Sequence, residues 1–321
     1  MVTSSTNDPG AGKASSGSNG SAAFNDAKRQ FRKRHFAGAR VHAEHLDGIR
    51  VAHLTDLHVG RVTPMKAQYA AVELTNQAKP DLVAITGDFV CHSQNYLDAL
   101  TEVIEQFEAP VICTLGNHDH WAGSNEVRRA LRRAGAEVLD NANTVITLRH
   151  QKLQLVGLDD AYTSHADAAQ AMKGMRRDLP TLGLSHIAEE ADELWDSGIP
   201  LVLSGHTHAG QVTFARLHEL MIGKLAGHKY VHGLYGDRRS DAAVYVGAGV
   251  GASVMPVRLG ERGQREVAIF ELGAEPGSFE EHHEEQPGHP GRVLSEKKRQ
   301  KRAQQVIEKH RRRQRRGPRH R

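Results

Sequence analysis

The chain has 321 residues, of which 39% are hydrophobic, enough for one large domain or two small ones. Its two cysteines, Cys91 and Cys113, exclude a disulfide framework and fit a reducing compartment. The net charge of +4 hides an asymmetry: from Ser295 onward 13 Lys and Arg face two acidic residues, and the rest of the chain is net acidic. No run of 18 apolar residues and no apolar leader exist, so a transmembrane helix and a secretory signal are not expected.

Taken in chain order, residues 1–45 read as a disordered segment, Ser/Gly-rich to about residue 23 and then basic from Lys28 to His35. Residues 46–273 read as the folded domain, 274–294 as an acidic Pro/Gly linker and 295–321 as a basic tail. Within the domain, strand-like apolar runs fall at Ile49–Leu54, Leu82–Thr86, Val111–Leu115, Leu153–Leu158, Leu182–Ser185, Leu201–Ser204, Ala243–Val246 and Glu266–Leu272. Helical patterns fit Lys66–Ala78, Leu97–Phe107 and Glu126–Ala134. Strand–helix alternation in the first half predicts a largely parallel sheet. The later strands, beginning with Thr144–Leu148 into Leu153–Leu158, read more as hairpins. The expected class is therefore α/β, with two mixed β-sheets packed face to face and flanked by helices.

Four short motifs follow apolar runs at their C-terminal ends, where loops of α/β sheets bind ligands. They are Asp56-Leu57-His58, Gly87-Asp88, Gly116-Asn117-His118-Asp119 and Gly205-His206-Thr207-His208. Asp-x-His or Gly-Asp alone is a common loop sequence. The specificity lies in all four occurring in order, each after a strand. Asp, Asn and His together suit borderline divalent ions such as Mn, Zn or Fe. A carboxylate shared by two ions would suit in-line displacement at phosphorus.

These motifs make the chain resemble the calcineurin-like metallophosphoesterases over about residues 49–272. A bacterial phosphodiesterase-like branch is matched by Gly157-Leu158-Asp159-Asp160, Leu184-Ser185-His186, the run from Leu203 to Gln211, and Tyr230-Val231-His232-Gly233-Leu234-Tyr235. The resemblance implies a four-layer sandwich and two divalent metal ions. The first would be held by Asp56, His58, Asp88 and His208, and the second by Asp88, Asn117, His186 and His206. It further implies a hydroxide bridging the ions as nucleophile, with His118 protonating the leaving oxygen or stabilising charge.

Two departures from the family pattern stand out. His186 is followed by Ile187-Ala188-Glu189 where an Asn-Pro-Asp element is frequent. Cys91 stands where many members carry an acid that orients the catalytic histidine, a role Asp119 could take in part. Arg61 is a candidate phosphate contact, or a solvated loop residue. His120 and Trp121 could line the pocket mouth or simply pack. Asp159 and Asp160 read as structural ahead of supporting metal ligands.

The leading expectation is a hydrolase of phosphoesters, diesters ahead of monoesters, on a small or lipid-linked substrate. A nuclease or nucleic-acid-binding protein using the basic tail ranks second, and a non-catalytic binding module third. The tail could grip nucleic acid or an anionic membrane surface, and no protein partner is implied. The missing leader reads as cytoplasmic, with peripheral attachment at the inner membrane surface as the tail's alternative role.

Overall fold

The computed structural model describes residues 24–210, 228–236, 242–252 and 264–275. The basic tail and nearly all of the acidic linker lie outside these residues.

The described residues build two six-stranded sheets. The first has the order β1 (Phe31–Ala37), β12 (Arg265–Leu272), β2 (Ile49–Leu54), β3 (Leu82–Thr86), β4 (Val111–Thr114) and β5 (Glu137–Val138). From β2 to β5 every pairing is parallel, as strand–helix alternation predicts. The second has the order β10 (Gly233–Gly236), β11 (Ala243–Val246), β9 (Leu201–Ser204), β8 (Thr181–Leu184), β7 (Gln151–Gly157) and β6 (Ala142–Leu148). Here the expectation of hairpins holds only at the two edges. β6/β7 and β10/β11 are antiparallel, but β7, β8, β9 and β11 pair in parallel.

Alternation along the strands explains the layering. One set of side chains, including Ile49, Val51, Leu82, Ala84 and Ile112, meets Leu155, Leu182, Leu184, Leu201, Leu203 and Tyr245 from the other sheet. This is the face-to-face core, and cutting one such leucine to alanine costs about 2–5 kcal/mol. The opposite face of the first sheet, with Ala52, Leu54, Val83 and Ile85, packs on three helices: α1 (Met65–Gln77), α2 (Leu97–Ile104) and α3 (Asn117–Arg133). The outer face of the second sheet, with Val156, Val202 and Val244, packs on residues in and around α4 (Ala191–Asp196), among them Ala188, Ala191 and Leu194. The result is the four-layer sandwich expected from the sequence.

Two elements differ from expectation. Helix α3 begins at Asn117, not near Glu126, and is broken at Gly123, whose φ of 124° is non-helical. The domain also starts before residue 46, because β1 pairs with β12 along its whole length, Phe31 with Arg265 through Ala37 with Glu271. Its sequence, FRKRHFA, has three basic residues among seven and carries no apolar period that marks a strand. Long-range pairing and a buried ion network hold it instead. Arg34 lies 3.5 Å from the Glu266 carboxylate, which also meets His232 Nε2 at 3.0 Å and accepts from the Tyr245 hydroxyl. Burial would raise the Glu266 carboxyl, but His232 and Arg34 overcome it and hold it well below the usual range.

Several of the chain's histidines serve this frame and not the site. His53 meets the Thr86 hydroxyl at 2.9 Å, and His42 donates through Nε2 to Thr181 O at 2.9 Å. Burial pushes His42 down to about 4 and His53 down to about 3, so both stay neutral.

Candidate metal centre

All four motif loops meet at one end of the two sheets. The first two loops are tied to each other by backbone bonds, Asp56 N to Gly87 O at 3.0 Å and His58 N to Asp88 O at 2.9 Å. The third is tied to the second through Asp119. Its Oδ1 accepts from Phe89 N and Val90 N, and its Oδ2 accepts from Gly116 N at 2.9 Å. Asp119 thus accepts three backbone N–H groups and pins the third loop to the second. The fourth loop reaches the first through His206 N, which donates to Asp56 Oδ2 at 3.0 Å.

Close approach dictates glycine at two junctions. A Cβ on Gly205 would collide with Thr55 Oγ1, and one on Gly87 would lie 2.6 Å from His186 Nδ1, with Gly87 already at φ +79°. Non-glycine residues are held in the left-handed region too: Asp56, His58, Asp88, His206 and His208 all have φ between 45° and 73°. Each such residue costs about 1–3 kcal/mol, and strain of this kind concentrates at functional sites.

These backbone bonds occupy one oxygen of each aspartate and turn the other inward. Asp88 Oδ1 accepts from His118 N at 2.8 Å. Its Oδ2 lies 3.5 Å from His58 Nε2 and 3.4 Å from His186 Nε2. Asp56 Oδ1 is buried without a hydrogen-bond partner, 3.3 Å from His208 Nε2. Asn117 Oδ1 is likewise buried and unpartnered. The imidazoles crowd in pairs, with His58 Nε2 2.9 Å from His208 Nε2 and His206 Nδ1 3.3 Å from His186 Nε2. Imidazole nitrogens and carboxylate or amide oxygens converging in this way are the donor set that divalent cations take.

Of three metal-capable groups among the described residues, Asp56/His58/Asp88/His208 and Asp88/His186/His206 share Asp88, and the third is His58/Cys91/His118. His186 is set for this by its other nitrogen. Nδ1–H donates to Thr86 O at 2.8 Å, which leaves Nε2 facing Asp88. Burial alone would lower His186, but the Asp88 carboxylate reverses that and raises it to about 10. The same pairing pushes the Asp88 carboxyl well below its usual range against the effect of burial.

His118 stands apart from the two groups that share Asp88. Its Nε2 is 3.9 Å from Asp88 Oδ2, its ring lies edge-on to His58 at 4.6 Å, and Nδ1 has no hydrogen-bond partner. Burial lowers it to about 4. Cys91 sits beside it, the ligand atoms of His58, Cys91 and His118 lying within 4.8 Å of one another. Burial raises the Cys91 thiol, with Asp88 adding to the effect.

The remaining candidates separate cleanly. His120 turns away and donates to Asp159 at 2.7 Å, while Asp159 also takes Arg128 at 2.9 Å, so both are structural. Asp160 accepts Thr163 N at 2.6 Å. Arg61 is exposed in a turn after the first motif. Trp121 does line the mouth, stacked on His92 at 5.2 Å and tilted against His118 at 4.9 Å. Sequence reading overlooked His92, Tyr162 and Thr55. His92 and Tyr162 each follow a recognised motif closely, which was the only available signal. The Thr55 hydroxyl lies 2.9 Å from Asp56 Oδ2 and helps aim that carboxylate.

A two-sheet sandwich with paired Asp/His clusters sharing one aspartate defines a metal-dependent phosphoesterase, and residues 49–210 match the family model for the calcineurin-like phosphoesterases. The chain belongs to that family. It is 31% identical over 231 residues to phosphodiesterase YaeI of Escherichia coli, covering 70% of this chain and 82% of that protein. Against an uncharacterized metallophosphoesterase, YkuE of Bacillus subtilis, identity is 27% over 232 residues, covering 70% and 79%. Among solved structures, TT1561 of Thermus thermophilus is 12% identical with a TM-score of 0.46, covering 64% of this chain and 91% of that one.

Proposed function

We propose that the chain hydrolyses phosphodiesters with two divalent ions, one held by Asp56, His58, Asp88 and His208 and the other by Asp88, Asn117, His186 and His206. The observation that carries this is the Asp88 Oδ2 atom, within 3.5 Å of an imidazole nitrogen from each group. The unpartnered Asp56 Oδ1 and Asn117 Oδ1 fit the same reading, since buried oxygens without donors are costly unless a cation takes them. Mixed imidazole, carboxylate and amide donors suit Mn, Zn or Fe. When bound, such ions lower the pKa of water and polarise phosphoryl oxygens.

The chain's own residues supply the rest. Asp88 and Asp56, each with one oxygen tied to a backbone amide, hold their second oxygens at fixed positions. His118 Nε2 lies 3.9 Å from Asp88 Oδ2, outside the two clusters that share Asp88, so it is the group placed to protonate the departing oxygen or to stabilise its developing charge. Preference for a diester is supported by the name of the Escherichia coli relative, a phosphodiesterase.

The test is hydrolysis of bis-p-nitrophenyl phosphate and p-nitrophenyl phosphate with Mn²⁺ and with chelator. Metal-dependent turnover favouring the diester is expected. Turnover of the monoester alone would remove the diester assignment, and no loss with chelator would remove the metals.

A further inference from the structure

Three large hydrophobic side chains are conspicuously exposed among the described residues: Trp121 at 39%, Tyr162 at 52% and Val145 at 41%. Exposed aromatics cost little singly, but two of these three sit together at the mouth of the metal centre. Trp121 and Tyr162 stand at 81° with centroids 6.1 Å apart, forming a corner. Its two walls rest on different parts of the site. Trp121 contacts His118, and Tyr162 contacts His206 at 5.3 Å. A phosphoryl group over Asp88 would therefore send its ester substituent out between these rings.

We propose that Trp121 and Tyr162 form a subsite for a planar heteroaromatic ring, which makes the substrate class a phosphoester that carries a nucleoside. This rests on the phosphodiesterase reading above. A ring can lie flat on one wall and meet the edge of the other, the geometry aromatic pairs favour. Two competing occupants fit less well. An acyl chain needs a long apolar groove, and among the described residues the rings adjoining the corner belong to His92, His118 and His206. A quaternary ammonium also favours aromatic faces. It would, however, approach two divalent ions, and the nearby carboxylates of Asp56 and Asp88 would be taken up in holding those ions. A neutral ring meets neither obstacle.

The experiment compares adenosine monophosphate, ribose 5-phosphate and phosphocholine as competitive inhibitors of bis-p-nitrophenyl phosphate hydrolysis by the metal-loaded full chain, with tryptophan emission recorded in parallel. The three share a phosphate monoester and differ in what it bears. Stacking of one base predicts that adenosine monophosphate binds roughly five- to a hundredfold more tightly than ribose 5-phosphate. It should also quench emission. The other tryptophan, Trp195, is engaged through its indole nitrogen with Ala243 O, so the quench should vanish in W121A.

The preference should fall towards unity in W121A and Y162A and persist in V145A. Equal binding of adenosine monophosphate and ribose 5-phosphate, or a preference that survives both aromatic substitutions, would overturn the subsite. A preference for phosphocholine that depends on both rings would replace the nucleoside with an ammonium group. If bis-p-nitrophenyl phosphate is not turned over and no monophosphate binds, the phosphodiesterase reading itself has failed and the subsite falls with it.

Discussion

Asp88 Oδ2 lies 3.4 Å from Nε2 of His186, a residue 98 positions later on the second sheet, while Asp88 Oδ1 is fixed by His118 N. This one carboxylate therefore joins both sheets and both clusters of metal-capable side chains. Asp88→Ala should remove metal from both positions and abolish turnover. Metal content by elemental analysis, measured beside the hydrolysis rate, checks this. Retention of two ions per chain with ordinary turnover would refute the shared role.

His118→Ala should separate binding from chemistry. Its imidazole is outside the two groups that share Asp88, so metal content should match the parent protein. Loss of a positioned proton donor costs about 10²–10⁴-fold in rate. The comparison to make is kcat for an ester with a poor leaving group against one with a good leaving group. A deficit that is the same for both would remove His118 as the proton donor.

Cys91→Asp should raise activity. His118 Nδ1 has no hydrogen-bond partner, and Cys91 is the nearby side chain whose replacement by a carboxylate would supply one. A carboxylate accepting from Nδ1–H holds the ring's orientation and stabilises its protonated form. The expected outcome is a several-fold rise in kcat with little change in KM. Steady-state kinetics at neutral pH decide it, and an unchanged or lower kcat would show that Cys91 does not limit alignment.

Acidification should destabilise the domain through His42, which lies away from the metal centre. Burial lowers its folded pKa to about 4, against about 6.5 when unfolded. Between those values the unfolded chain binds more protons, so stability is fully present above about pH 6.5 and is lost as pH falls towards 4. The slope is on the order of a few kcal/mol across that window. Urea unfolding at a series of pH values measures it, and H42Q should flatten the curve below pH 6.5. An unchanged curve would place the acid sensitivity elsewhere.

The strands carrying the site were legible because they are continuous apolar runs ending in polar motifs. β2, β3 and β9 begin and end where the apolar runs do. β1 was not legible, since FRKRHFA shows no apolar period and owes its conformation to pairing with β12 and to Glu266. The start of α3 was missed for a related reason. Asn117, His118 and Asp119 are polar and buried, so the helix opens on site residues where an amphipathic pattern is absent.

By itself the sequence determined which residues carry metal-capable side chains, their place after strands, and through them the family. These are local properties: donor type, glycine at a turn, and a run of buried apolar residues. The tertiary structure decided which donors meet. His186 reaches Asp88 because β8 and β3 lie in facing sheets whose C-terminal ends open on one space, and no local period encodes that. It also decided that His120 pairs with Asp159 while its neighbour Trp121 turns to the mouth, because helix position and the break at Gly123 set where each side chain points. Long-range packing, not residue type, makes that choice.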